Sequence, residues 1–431
     1  MTVRMPSTEP DPFPTVWKYE LGSDFEQDKV PAEWSSGAPH SWGSESQAIR
    51  LRSEPISLCL SHDDRFLAAG CRHSVEIYEN NVKGIKRLSI SPVLKGWNTN
   101  HVEWRPKEVQ SDDYQILVCF SSRDDGSNRK GWCAYMQIYT LELQYSRAIA
   151  DPKLAFECSI WPLRSLSMLD KTGENLLVLS QRETNFQVET GQNSPSGSGQ
   201  TEVWSISGPS KRYSLPVSSE STVWIGYSPD GGMIGVATVG QIFRLFDATS
   251  GNLLHATQPL GGQISCVAFS PDGGKVACTC SGADRAVKIF KTSGVHLQTL
   301  EFQSLTRSLT WSPDSSMLAF GAQGGGLQIF DCNLQKISQS WQLNYPGIRP
   351  SPLNEPAQLQ FVDGGRSILF ATGMEGGVEV YDMQNNCKER FEPSDESDSV
   401  RGKRRSAIAW SSTRRTVICF DGNGMLRFWK I

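Results

Sequence analysis

The sequence predicts an all-β fold: a closed ring of eight small four-stranded sheets, with seven as the alternative, sealed by a strand from near the N-terminus. Three observations predict it. A short apolar strand ending in Ser-Pro-Asp recurs, as "GYSPDGG" at 226–232, "CVAFSPDGG" at 266–274 and "LTWSPDSS" at 309–316. Each copy is followed by short apolar or alternating runs separated by turn residues, the grammar of consecutive antiparallel strands. Related segments sit about 40–65 residues apart, most near 45, which is the spacing of sheets stacked around an axis.

Taken in order, the first strand-like run is "TVWKYEL" at 15–21. Residues 22–50 form a long connection, poor in apolar residues, that carries Trp34 and Trp42 and either drapes over the ring or hangs free. Repeating units then begin at Ile56, His101, Ser165, Val223, Ile264, Ser308, Leu359 and Ala407. In the clearest unit, Ser270-Pro271-Asp272-Gly273 is expected to reverse the chain, because Pro fixes φ while Asp and Gly accept turn geometry. Within it, "KVACTC", "AVKIF" and "HLQTLEF" supply three further strands. One such sheet cannot bury both of its faces, so neighbours must stack into a propeller of blades. The last unit ends at "LRFWKI", its third strand. The run at 15–21 is therefore expected to pair onto that blade as its outer strand and remove an open edge. This divides the chain into 1–55, closing strand and connection, and 56–431, the propeller.

Composition agrees with such a molecule. The chain has 431 residues, 38% apolar and 20% charged, with 38 Gly, 23 Pro and 13 Trp, a globular mixture rich in turn formers. The net charge of −4 gives no global attraction to nucleic acid or anionic lipid. No apolar run is long enough for a transmembrane helix, and the N-terminal stretch lacks a signal-peptide core. The 11 cysteines are scattered without a Cys-x-x-Cys pair; Cys278 and Cys280 share one strand face and read as buried thiols of an intracellular protein, cytoplasmic or nuclear.

At the Ser-Pro-Asp units the sequence resembles the WD40-repeat family. "CVAFSPDGG" matches that family's strand and turn, and "SGADRAVKIFK" matches its third strand, with Asp284 at the structural aspartate position. The Trp-Asp dipeptide has decayed to "LFD", "IFD", "VYD", "VWS" and "FWK", and the Gly-His element is absent. The resemblance covers roughly 56–431. It implies an eight-bladed WD40-like β-propeller whose degenerate blades rely on apolar packing more than on buried hydrogen-bond tetrads.

No catalytic, metal or cofactor residues are read from the chain. The histidines (40, 62, 73, 101, 255 and 296) lack zinc-site spacing, and no nucleophile elbow or Walker loop is present. The glycine clusters at 321–328 and 373–380 lie between strands, where no helix N-terminus could hold phosphate. Three inserts interrupt the blades, at 121–132, 181–200 and 392–405. The last runs acidic then basic, with Ser394, Ser397 and Ser399 beside Arg401, Lys403, Arg404 and Arg405, and is a solvated loop, a phosphorylated segment or an import or phosphate-contacting patch. Loops on a rigid scaffold are where partners are met. By residue type, the candidates on the face where the strands begin are Trp224, Arg285, Arg307, Glu375 and Arg405. The expected function is that of a non-enzymatic scaffold binding other proteins within a multiprotein complex. Two alternatives stand: a propeller hydrolase or isomerase with a site in the axial channel, and a phosphoinositide-binding propeller. For the second, Arg404-Arg405 and Arg414-Arg415 lack the flanking Phe and Gly.

Overall fold

A computed structural model describes residues 25–431 except 42–43, 54, 82–83, 93–96, 107–113, 123–132, 146, 159–167, 182–198, 209, 218–221, 283–284, 302–305, 323–325, 343–355, 373–377, 393–407 and 421–423. Eight antiparallel sheets follow one another along the chain, one per sequence unit. Three consecutive four-stranded blades are the fourth (Thr222–Tyr227, Met233–Thr238, Phe243–Asp247, Leu253–Ala256), the fifth (Gly262–Phe269, Lys275–Gly282, Ala286–Lys291, His296–Glu301) and the sixth (Thr306–Trp311, Met317–Ala322, Gly326–Asp331, Lys336–Gln342). In each, the order in the sheet is the order in the sequence, from the inner strand to the rim. The third blade has three full strands, and its inner position is held by a short bridge from Leu169 to Leu176.

The Ser-Pro-Asp turn works as an internally bonded plug. In the fifth blade the Ser270 hydroxyl donates to Asp272 Oδ1 (2.5 Å) and accepts from the Lys275 amide (2.8 Å), while Asp272 Oδ1 also accepts from the Gly274 amide (2.9 Å). The same bonds recur around Ser228 and Asp230, around Ser312 and Asp314, and around Ser61 and Asp63 in the first blade. The fourth turn residue takes the left-handed conformation each time: Asp64 φ 57°, Gly231 74°, Gly273 69° and Ser315 61°. Glycine reaches that region without steric cost, and Asp and Ser tolerate it through local hydrogen bonds.

Between blades the contact is apolar. The fourth and fifth join through Trp224, Phe243, Val267, Val276 and Cys278, and the fifth and sixth through Val287, Ile289, Trp311, Leu318 and Phe320. Cys278 and Cys280 are buried thiols, as small hydrophobes in a core should be. Hydrogen bonds lace neighbouring inner strands: Trp104 Nε1 donates to the Cys59 carbonyl and Trp311 Nε1 to the Ala268 carbonyl, both at 3.0 Å.

The ring closes through the N-terminal segment. The eighth blade comprises Ile408–Ser411, Thr416–Phe420 and Met425–Lys430, with Gln47–Arg50 as its outer strand. The position expected for 15–21 is thus occupied by 47–50; residues 15–21 lie outside the described residues. Gln47 also bridges to the first blade, its Nε2 donating to the Ile85 carbonyl (2.9 Å) and its Oε1 accepting from the Ile85 amide (2.8 Å). Ahead of this latch, residues 25–41 drape over the seventh blade. Glu33–Trp34 and His40–Ser41 add in parallel to its outer strand, Cys387–Glu392.

Candidate functional site

Strand direction sorts the loops into two faces. Inner strands run from an upper face to a lower one, so the Ser-Pro-Asp turns lie below, and the connections from second to third strand and from blade to blade lie above. The mouth of the axial channel on the upper face is built on a repeated irregularity. Near the start of the inner strand, the ladder slips by one residue in six blades: between Pro55 and Ser57, Thr99 and His101, Thr222 and Trp224, Ile264 and Cys266, Thr306 and Ser308, and Pro356 and Gln358. Each slip is a β-bulge that leaves one extra residue outside the pairing and re-aims the chain around it. The extra residues are Ile56, Asn100, Val223, Ser265, Arg307 and Ala357.

Arg307 therefore stands at a bulge on the sixth blade. Next to it, the bulged Ser265 of the fifth blade donates to the Thr306 carbonyl at 3.0 Å and lies 2.7 Å from Thr279 Oγ1. Arg285 is exposed at the start of the third strand of the fifth blade, on the same face. Trp224 is only 4% exposed, packed against Phe243 and Phe269 in the core between the fourth and fifth blades. A Cβ on Gly235 would sit 2.9 Å from its ring, so the indole is fitted closely into this interior and offers no free face. Glu375, Arg405 and Asp284 lie outside the described residues, as does nearly all of the 392–405 insert.

The threonines beside three of the bulges are buried. Thr99, Thr222 and Thr306 hold the position just before the bulge in the second, fourth and sixth blades, and their hydroxyl oxygens are buried with no hydrogen-bond partner among the described residues. In the second blade Glu103 accepts from the Met168 amide (2.9 Å) and lies 3.6 Å from His101 Nε2. The thiols here are poor nucleophiles: burial pushes Cys59 up to about 11 and raises Cys278 as well. Among the described residues no group of three or more His, Cys, Asp or Glu side chains could hold a metal ion.

A second surface was not singled out by the sequence reading. Leu253, Leu254, Val295, Leu297, Leu334 and Ile337 lie at, or in the turn just before, the start of the outer strands of the fourth, fifth and sixth blades and are 36–62% exposed. Exposed aliphatic side chains thus recur on the lower rim of three successive blades. The signal lay in "LLHA", "HLQTLE" and "KISQSWQ", where apolar residues occupy strands that have no further neighbour outward.

The WD domain, G-beta repeat family matches residues 254–291, the outer strand of the fourth blade and most of the fifth. The chain carries a WD40 repeat. The small ribosomal subunit protein RACK1 of Neurospora crassa is 26% identical over 175 residues, 39% of this chain and 51% of that protein. MST50-interacting protein 11 of Pyricularia oryzae matches to the same extent, and cross-pathway control WD-repeat protein 2 of Flammulina velutipes is 25% identical over 173 residues. The chain spans about half the length of the curated relatives it matches. Among solved structures, the C-terminal WD40 domain of Sif2 superposes with a TM-score of 0.64, covering 89% of this chain and 97% of that one at 11% identity, a likeness of fold. The architecture is thus an eight-bladed WD40-like propeller with degenerate repeats, in keeping with the apolar character of its blade contacts. No helix among the described residues is long and apolar enough to cross a membrane.

Proposed function

We propose that this WD40-like propeller is an intracellular, non-enzymatic scaffold that binds other proteins through the mouth of its upper face, with Arg285, Arg307, Glu375 and Arg405 as contact residues. The observation that carries this reading is the repeated bulge. It sets one unpaired residue at the mouth in blade after blade, and the residues differ in character: Ile56, Asn100, Val223, Ser265, Arg307 and Ala357. A rigid ring whose inner strands begin on residues of different character suits recognition of a large surface by the loops around them. The name of one relative, MST50-interacting protein 11, describes an interaction partner, which agrees with this class of function.

The test is quantitative capture by the intact chain and by Arg285→Glu/Arg307→Glu. A protein retained by the intact chain should be lost at least about tenfold from the double variant, since truncating an arginine that is a hot spot costs more than about 1.4 kcal/mol and reversing its charge adds repulsion. Equal retention by a variant with an unchanged melting curve removes the upper face from the proposal. The exposed aliphatic residues on the lower rim of the fourth to sixth blades favour a second placement, in which an apolar segment of the partner lies along that rim. Leu254→Asp/Leu297→Asp would then abolish capture while the arginine variant kept it.

A further inference from the structure

The rim between the sixth and seventh blades is occupied by residues 25–41 in a way that defines a binding groove. Phe25, fully buried, lies flat on Tyr381 of the seventh blade (centroids 4.6 Å, 6° between planes) and edge-on to Trp341 of the sixth (5.2 Å). Trp341 Nε1 donates to the Glu26 carbonyl at 3.2 Å. Asn386 Nδ2 donates to the Val30 carbonyl (3.0 Å). The Glu33 amide then donates to the Asn386 carbonyl and the Ser35 amide to the Lys388 carbonyl, both at 3.0 Å, as the parallel strand forms. Trp34 sits under two cations, with Lys388 Nζ 4.4 Å and Arg390 Cζ 5.4 Å from its ring, and still keeps 41% of its surface exposed. Further on, His40 stacks on Phe391 at 5.1 Å.

These contacts read as recognition of an extended ligand: an aromatic slot, an amide that takes a carbonyl, a strand edge, and a cationic clamp for a second aromatic nine residues later. The occupant happens to be tethered. Its strand pairing is sparse for its length, since the parallel ladder pairs only Glu33–Trp34 and His40–Ser41, and the registers differ by three residues (34 to 40 against 388 to 391). A tethered segment stays bound largely through its high effective concentration, so few contacts suffice. Edge addition is also a standard mode by which proteins take up peptides.

We propose that the outer edge of the seventh blade is a peptide-accepting groove, filled in cis by residues 25–41, for an extended segment of a partner protein. The segment carries an aromatic residue for the Trp341–Tyr381 slot and a second aromatic residue for the Lys388–Arg390 clamp, with acidic residues between and beside them, as Glu26, Asp28 and Glu33 are in the resident segment. This site is separate from the upper-face scaffold reading and stands or falls without it. The probe is a fluorescent synthetic peptide of residues 25–36, followed by anisotropy against the full chain and against the full chain bearing Phe25→Ala/Trp34→Ala, which loosens the resident segment and leaves the groove intact. The peptide should bind the loosened chain at least about tenfold more tightly than the intact chain, because the tethered competitor is weakened. A peptide with its Phe replaced by Ala should not bind, and adding Lys388→Glu to the loosened chain should abolish binding. Equal affinity for intact and loosened chains, no binding to a loosened chain that still melts cooperatively, or binding that ignores the Phe would each overturn the proposal. If the loosened chain does not fold, hydrogen exchange on the intact chain decides. Excess peptide should speed exchange of residues 25–41 while 387–392 keep their protection, and an unchanged pattern rejects the groove.

Discussion

Asp64 shows how one side chain can tie a ring together. It is the left-handed residue of the first blade's turn, and its Oδ2 accepts from the Ser411 hydroxyl (3.2 Å), the Ser412 hydroxyl (3.2 Å), and the Thr413 amide (3.0 Å) and hydroxyl (3.1 Å) of the eighth blade. Arg414 adds bonds to the carbonyls of Asn80 and Asn81. Replacing a buried charged acceptor leaves its donors unsatisfied, so Asp64→Ala should cost about 2–3 kcal/mol, read from the midpoint of urea unfolding. The turn aspartates give a pH signature. The Ser228 hydroxyl and Gly232 amide hold Asp230 below the usual carboxylate range, and the Ser312 and Ser316 hydroxyls do the same for Asp314. Burial would raise Asp272, but the Ser270 hydroxyl and Gly274 amide outweigh it. A carboxylate depressed in the folded state stabilises it above the unfolded value and loses that contribution as pH falls through the folded one. The urea midpoint should therefore drop on acidification below about pH 4, and Asp230→Asn/Asp272→Asn/Asp314→Asn should be less stable at pH 7 yet lose less on acidification. Parallel curves for the two proteins would contradict this. These turns were legible in the sequence because every bond in them closes within five residues. Asp64's grip on 411–413 was not, since it spans the whole chain.

At the scale of elements, the readable and unreadable parts divide along the same line. Inner strands announce themselves by the turn that ends them, so all eight units were placed from the sequence. The bulge at their start was not visible, and it decides which way side chains point. Thr222 pairs with Thr238 and Trp224 with Ala237, so the unpaired Val223 shifts the alternation by one. That shift turns Trp224, an attractive surface candidate by residue type, into the core. The latch was hidden for a different reason. "QAIR" at 47–50 has weaker strand character than "TVWKYEL" at 15–21, and its pairing is dictated by the free edge of Met425–Lys430. Gln47 supplies the readout for that element. Its paired bonds to Ile85 join the latch to the first blade, so Gln47→Ala should cost about 1–2 kcal/mol and should speed hydrogen exchange at Ile85 more than at the inner strands. Uniform acceleration across the ring would argue that the latch is not a separate unit.

For the whole molecule, closure depends on one stretch of chain performing two tasks in succession. Residues 25–41 cover the seventh blade and residues 47–50 complete the eighth, so the N-terminal segment spans the rim from the sixth blade to the first. The fourth, fifth and sixth blades, by contrast, are each built of four strands consecutive in the chain. At the junction of the eighth and first blades, the Phe428, Leu426 and Ile418 side chains share a cluster with Leu67, Tyr78 and Leu51, and the latch residue Ile49 packs against it. Stripping away residues 25–50 would uncover that cluster and leave the third strand of the eighth blade as a bare edge, able to pair with another molecule. A chain lacking residues 1–50 should therefore melt about 10 °C lower or more, with a broadened transition, and should self-associate in sedimentation. Deleting only residues 1–24, which precede both tasks, should leave the melting curve and the sedimentation profile as they are. If the shorter deletion has the same effect as the longer one, then residues upstream of Phe25, and not the cover and latch at 25–50, hold the ring shut.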